Sequence, residues 1–125
     1  MCLEIADWRQ DNGAPARQWS CTGGANQKWL ASSRDGGYWI WNAHSGKCLE
    51  VADWRRDNGA PVRQWGCTGG ANQRWHFSWG GASEYTMILQ NAHSGKCIEV
   101  ADWRTDNGAP VRQWDCHYGD NQLWF

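Results

Sequence analysis

Apolar and polar residues alternate in short bursts along this chain. In "CLEVAD" (48–53), Leu49 and Val51 are separated by Glu50, a period of two that predicts a half-buried strand. The neighbouring stretches "YWIWN" (38–42), "PVRQWGC" (61–67) and "NQRWHF" (72–77) read the same way, with Gly, Asn, Asp and Ser between them. No segment carries a convincing 3.6-residue apolar period, so the chain is expected to be all-β.

The pattern also repeats. Residues 48–67 recur at 2–21 and at 97–116, and the second and third copies differ only at Leu49/Ile98, Arg56/Thr105 and Gly66/Asp115. The likeness continues into "TGGANQKW" (22–29), "TGGANQRW" (68–75) and "HYGDNQLW" (117–124), and "NAHSGK" stands at 42–47 and 91–96. The 125 residues therefore read as one domain, 1–125, of three repeats at about 1–37, 38–84 and 85–125. A strand and "NAHSGK" precede Cys48 and Cys97, whereas only Met1 precedes Cys2. One strand of an expected twelve is thus missing. Either the sequence has been trimmed, or the fold tolerates an open seam, or a second copy or partner strand fills it.

Cysteines fall as Cys2/Cys21, Cys48/Cys67 and Cys97/Cys116, each pair 19 apart. Identical spacing and an even count suggest one local disulfide per repeat, hence a secreted protein. The other reading is buried free thiols in a cytosolic chain. No pair has the short spacing of a metal site, and no cofactor motif is present. The "DNG" at 57–59 marks a hairpin turn. If Cys48 faces Cys67 across an unbulged hairpin, Glu50 faces Trp65 and Ala52 faces Arg63. Leu49 and Val51 then point to the core, while Glu50, Arg63 and Trp65 share an exposed face with the cystine. On a continued strand Asp53 falls on the face opposite Glu50.

Charge excludes some functions. A net charge of −1 and a pI near 6.4 lack the basic excess of a nucleic-acid binder. No apolar run reaches membrane-spanning length, and "MCLEIADW" shows no signal peptide. What is unusual is the tryptophan: twelve of them, recurring with the repeat.

"NQKW", "NQRW" and "NQLW" are three in-phase copies of a Gln-x-Trp signature, each downstream of a cysteine-bounded hairpin. In this the whole chain resembles the ricin-B-type (R-type) lectins and related carbohydrate-binding modules. The resemblance implies a β-trefoil with up to three shallow sugar sites. It assigns hydroxyl-accepting acids to Glu4, Glu50 and Glu99, where the family usually has Asp, and stacking aromatics to Trp19, Trp65 and Trp114. Asn26, Asn72 and Asn121, with Gln27, Gln73 and Gln122, complete the implied sites. Arg17, Arg63 and Arg112 stand where the family often has Gln. His117, after Cys116, matches a position where some members place a histidine on the sugar. The implied ligands are glycans, with terminal galactose or N-acetylgalactosamine favoured over xylan-type polymers.

A pyranose has a C–H-rich face and a hydroxyl rim, so an aromatic plate beside fixed polar groups suits it. Trp29, Trp75 and Trp124 are expected in the core. Trp8, Trp54 and Trp103 either form a second pocket wall or cover the cystine. A glycosidase would need two carboxylates about 5–10 Å apart, and one exposed Glu per repeat does not supply them. A protein-interaction trefoil in a larger assembly remains the third class, against which stands the retention of Glu, Trp and Asn in all three repeats.

Overall fold

A computed structural model of the chain describes residues 1–34, 36–79 and 87–124. The boundary expected between the second and third repeats, at 84/85, lies outside them. The described residues form ten strands: β1 (Cys2–Ile5), β2 (Ala16–Trp19), β3 (Trp29–Arg34), β4 (Gly37–Asn42), β5 (Cys48–Val51), β6 (Val62–Trp65), β7 (Trp75–Trp79), β8 (Met87–Asn91), β9 (Cys97–Val100) and β10 (Val111–Trp114). Among the described residues there is no α-helix, only tight turns after β1, β5 and β9 and one-turn 3₁₀ segments ahead of each Gln-x-Trp tryptophan.

The repeats form a nearly closed β-trefoil. Strands β5 and β6 pair antiparallel, as do β1 with β2 and β9 with β10. β4 and β8 lie against β5 and β9, and β3 and β7 pair with β4 and β8. Alternation sends Leu49, Val51, Val62, Ile98 and Val111 into a common core with Ile5 and Trp75. All three expected disulfides form, with Cα–Cα separations of 5.1 Å. Each closes a loop contributing about 3 kcal/mol in the chain-entropy account.

The expected register is corrected by two residues. Cys48 faces Trp65, and Glu50 faces Arg63 rather than Trp65. Cys67 lies beyond the end of β6, so the disulfide reaches from a strand to the following loop. Because side chains alternate with period two, a slip of two preserves the faces, and Leu49 and Val51 stay in the core as expected.

The repeats close on one another through their hairpin tips. Gly13 N–H donates to Gln64 C=O (2.8 Å) and Gln64 N–H to Ala14 C=O (3.0 Å). The same pair of bonds links Gly59 and Ala60 to Gln113, and Gly108 and Ala109 to Gln18. The "DNG" asparagine works across this junction: Asn12, Asn58 and Asn107 Oδ1 accept the backbone N–H of Gly66, Asp115 and Ser20 at 2.8–2.9 Å. Gln64, fully buried, donates from Nε2 to the carbonyls of Arg9 (3.1 Å) and Asp11 (3.0 Å), and Gln18 and Gln113 repeat the arrangement. Each tip is thus held by a buried glutamine of the next repeat.

The threefold pattern breaks beside β1. β4 and β8 cover the outer edges of β5 and β9, and no described strand covers that of β1. The expected eleventh strand is likewise reduced to one bridge between Trp124 and Met87. A trough of about 800 Å³ results, lined by residues including Leu3, Leu30, Phe77 and Leu89. Of the three tryptophans expected in the core, Trp75 is fully buried, while Trp29 and Trp124 border the trough and are only partly covered.

Gln64→Ala should lower stability by about 1–2 kcal/mol, because the Arg9 and Asp11 carbonyls of the hairpin tip lose their donor and the buried amide leaves its site empty. Urea unfolding monitored by tryptophan fluorescence checks this. A loss below about 0.5 kcal/mol would mean that water replaces the amide and the bracket contributes little.

Candidate functional site

The second repeat shows how the site is built. Pairing of Glu50 with Arg63 puts both on the face away from the core, together with Trp65. The expected exposure of Glu50 is corrected: it is 4% exposed, and Glu4 and Glu99 are equally buried. A carboxylate withdrawn from water requires donors. Glu50 Oε2 accepts from Arg63 Nε (2.9 Å), and Oε1 accepts from Gln73 Nε2 (3.0 Å) and Asn72 Nδ2 (3.4 Å). Glu4 and Glu99 are held in the same way by Arg17, Gln27 and Asn26 and by Arg112, Gln122 and Asn121.

The Gln-x-Trp segment organises the floor from below. Gln73, fully buried, also donates to Gly66 C=O (3.0 Å) and accepts Thr68 N–H (2.8 Å), bracing the loop after β6. Asn72 Nδ2 bonds Val51 C=O (3.2 Å), and Trp75 Nε1 bonds Leu49 C=O (2.9 Å). The Oδ1 atoms of Asn26, Asn72 and Asn121 are buried without a partner. Of the expected sugar-contacting glutamines, Gln73 and Gln122 therefore lie beneath the surface and Gln27 is partly covered, each tying loop to strand.

The arginine links the floor to the rim. Arg63 Cζ lies 4.6 Å from the Trp65 ring centroid, a cation–π contact found at 4.5 Å for Arg17/Trp19 and Arg112/Trp114. One face of each expected stacking plate is thereby occupied by a guanidinium. Nη2 of Arg63 approaches Asp53 Oδ1 at 3.5 Å, and the corresponding distances are 3.4 Å for Arg17–Asp7 and 3.6 Å for Arg112–Asp102.

Asp53 is where the sequence reading failed. A continued strand places it opposite Glu50, but the strand stops at Val51 and Arg55 N–H returns to Ala52 C=O (3.1 Å). Asp53 and Trp54 occupy that turn with φ of 58° and 56°, both left-handed, and Asp7/Trp8 and Asp102/Trp103 repeat it. Two consecutive left-handed residues match a type I′ turn, whose second position favours glycine. Tryptophan there costs about 1–2 kcal/mol. The turn brings Asp53 round to the Arg63 side.

Trp54 is thereby laid over the loop backbone. A Cβ on Gly70 would come within 2.6 Å of Trp54 Cζ2, so only glycine allows this approach. Trp54 packs edge-on against His93 at 5.0 Å, and Trp8 against His44 likewise. Trp8, Trp54 and Trp103 remain 50–60% exposed, more than the half-buried Trp19, Trp65 and Trp114. In the first repeat Asp7, Trp8, Arg17, Trp19, Thr22 and Asn26 line a pocket of about 270 Å³ over Glu4.

The third repeat departs from the other two. His117 takes the place of Thr22 and Thr68, stacks on Trp103 (5.7 Å, 23° between planes) and brings Nε2 to 3.4 Å from Glu99 Oε1. Around the sites, exposed Arg9, Arg55 and Arg104 clasp Asp11, Asp57 and Asp106, and that hydrogen bonding holds the three carboxyls below the usual carboxylate range.

Breaking the buried pair should cost more than removing a rim charge. Glu50→Ala is expected to destabilise the chain by about 3 kcal/mol, since Arg63 and two amides lose their acceptor. Chemical unfolding measures this, and a change under about 1 kcal/mol would show that solvent satisfies the guanidinium.

The family described as the ricin-type beta-trefoil lectin domain matches residues 1–124. Among solved structures, the designed threefold-symmetric protein ThreeFoil is 36% identical with a TM-score of 0.91, over 98% of this chain and 86% of that one. The exo-β-1,3-galactanase 1,3Gal43A from Clostridium thermocellum is 33% identical with a TM-score of 0.92, over 98% of this chain but 26% of that one. A ricin B-like lectin of Macrolepiota procera, solved in complex with lactose, shares the fold at 17% identity and a TM-score of 0.83, over 98% and 83% of the two chains. No curated protein sequence matches the chain.

Proposed function

Because the chain belongs to the ricin-type β-trefoil lectin family, we propose that it is a secreted, non-catalytic carbohydrate-binding module with up to three sites acting together. The observation that carries this reading is the pocket of the first repeat, in which Trp8 and Trp19 stand beside a fixed guanidinium and carboxylate, together with the recurrence of the same Arg–Trp and Arg–Asp contacts in the other two repeats. Apolar plates next to oriented donors and acceptors are what a pyranose requires. Glu4, Glu50 and Glu99 serve the site as anchors for Arg, Gln and Asn. Buried and held by Arg, Gln and Asn donors, Glu4, Glu50 and Glu99 offer no free acid for a two-carboxylate glycosidase mechanism.

Galactose-type termini are the favoured ligands, supported by the similarity to a lectin solved with lactose and to an enzyme named for galactan; xylan-type polymer is the alternative. Shallow single sites give dissociation constants of about 0.1–1 mM, and display on one rigid body raises avidity by ~10²–10⁴ where spacing permits. Calorimetry with lactose and with a multivalent lactose conjugate should show that gap, and equal affinity for both would remove the multivalent reading. Trp65→Ala should abolish binding at the second repeat and leave the fold intact. Trp75→Ala, a core truncation, should cost about 3–5 kcal/mol. Equal destabilisation of the two would contradict this division of roles.

The trough beside β1 supports self-association as a second element of the proposal. It exposes Leu30, half uncovered, next to an edge that no described strand covers, and a second copy can bring an apolar face of the same kind against it. Light scattering at micromolar concentration should then report a mass above 14.2 kDa. A monomer with protected amides along β1 would rule self-association out.

A further inference from the structure

We infer that the three Asp-Trp turns carry the ligand-facing groups of the sites: Asp7, Asp53 and Asp102 accept the ligand's hydroxyls, Trp8, Trp54 and Trp103 form its second wall, and the preferred ligand is a neutral pyranose with adjacent hydroxyls. This rests on the carbohydrate reading above and specifies how that site selects its ligand.

Three features, each present three times, converge on it. The first is acceptor capacity. Glu4, Glu50 and Glu99 are buried and each receives Arg, Gln and Asn donors, so little acceptor capacity is left there for a ligand. The aspartates are the opposite case: their side chains are 74–76% exposed and each makes one long approach to the arginine, at 3.4–3.6 Å. In the first repeat, Asp7 is on the pocket wall.

The second is the aromatic surface. Trp19, Trp65 and Trp114 carry a guanidinium over the ring, whereas Trp8, Trp54 and Trp103 are the more exposed indoles. Gly24, Gly70 and Gly119 let them settle on the loop, where a Cβ would come within 2.5–2.7 Å of the ring. The third is strain. Asp and Trp both sit in left-handed backbone where glycine would fit freely, and a side chain kept in such a conformation points to a use for it.

The charge pattern sets the ligand class. An arginine Nη and an aspartate oxygen side by side offer one donor and one acceptor, matching two adjacent hydroxyls, one accepting and one donating. Each site holds one arginine against two carboxylates, so an acidic sugar would meet a repulsive rim. Neutral rings are favoured.

The test uses the full chain, with a multivalent lactose conjugate and soluble xylan as neutral probes and polygalacturonate as the acidic one. In the triple variant Asp7→Gly/Asp53→Gly/Asp102→Gly the left-handed backbone is relieved, so the melting temperature should hold or rise while apparent affinity for the neutral probe falls at least tenfold. The conservative Asp→Asn triple variant, which tolerates the same backbone, should also weaken binding and serves if the glycine variant misfolds. Wild-type binding that survives both sets of substitutions within twofold would overturn the aspartate assignment while leaving the carbohydrate reading standing. Preference of the wild type for polygalacturonate would overturn the neutral-ligand assignment. Failure of the wild type to bind any of the three probes would overturn the carbohydrate reading and this inference with it.

Discussion

The sites depend on a carboxylate that has been taken out of water. Glu50 sits on the β5–β6 hairpin with its oxygens enclosed, and the cost of that burial is offset only if donors converge on it. Those donors are the groups that position everything else. Arg63, drawn in through Nε, lies over Trp65 and reaches Asp53 with Nη2. Gln73 spends one amide hydrogen bond on Glu50 and the rest on the loop at 66–68, and Asn72 ties Glu50 to the end of β5. Remove the acid and the rim loses its reference point.

The same local logic is carried around the molecule by the hairpin tips. A repeat does not complete its own packing: its tip is received by the glutamine of the next, so the first grips the second, the second the third, and the third the first. Gln64 and Gln113 are capped in turn by Ser45 and Ser94 of the "NAHSGK" linkers, at 2.6 and 2.7 Å. Beside β1, where no covering strand is described, Gln18 instead borders the trough. The break in symmetry is therefore local, and the three tip junctions persist despite it.

Much of this was legible in the residues. Alternation in "CLEV" and "VRQW" sorted core from surface, cysteine spacing gave the disulfides, and the repeat with its Gln-x-Trp signature pointed to the trefoil. What escaped has physical causes. Cysteine spacing alone suggests directly opposed residues, but Cys67 follows the strand, which shifts the pairing by two. Glu50 read as exposed because its face points away from the core; only the fold shows that the loop at 71–73 covers it. Asp53 and Trp54 read as a continuation of the strand because two adjacent non-glycine residues in a type I′ turn run against turn propensity. Gln64 could have been noticed: it alternates in phase with Val62, and a polar residue in a core phase signals a buried bracket.

The register also links the two positions at which this chain departs from the pattern its resemblance implies. Glu replaces the shorter acid and Arg replaces a neutral amide, and the two residues are direct cross-strand partners in every repeat. A longer acid alone would bury a charge without a counterion, and an arginine alone would bury a cation. Together they neutralise the floor of the site, and the guanidinium's remaining N–H groups are turned toward the rim. The acid that still faces solvent is then the one on the strained turn, Asp7, Asp53 or Asp102. A site that usually presents its acid from the strand has, on this reading, moved that role one turn further along the chain. The residue beside the relocated acid is a tryptophan, so polar and apolar contacts arrive from the same two-residue turn.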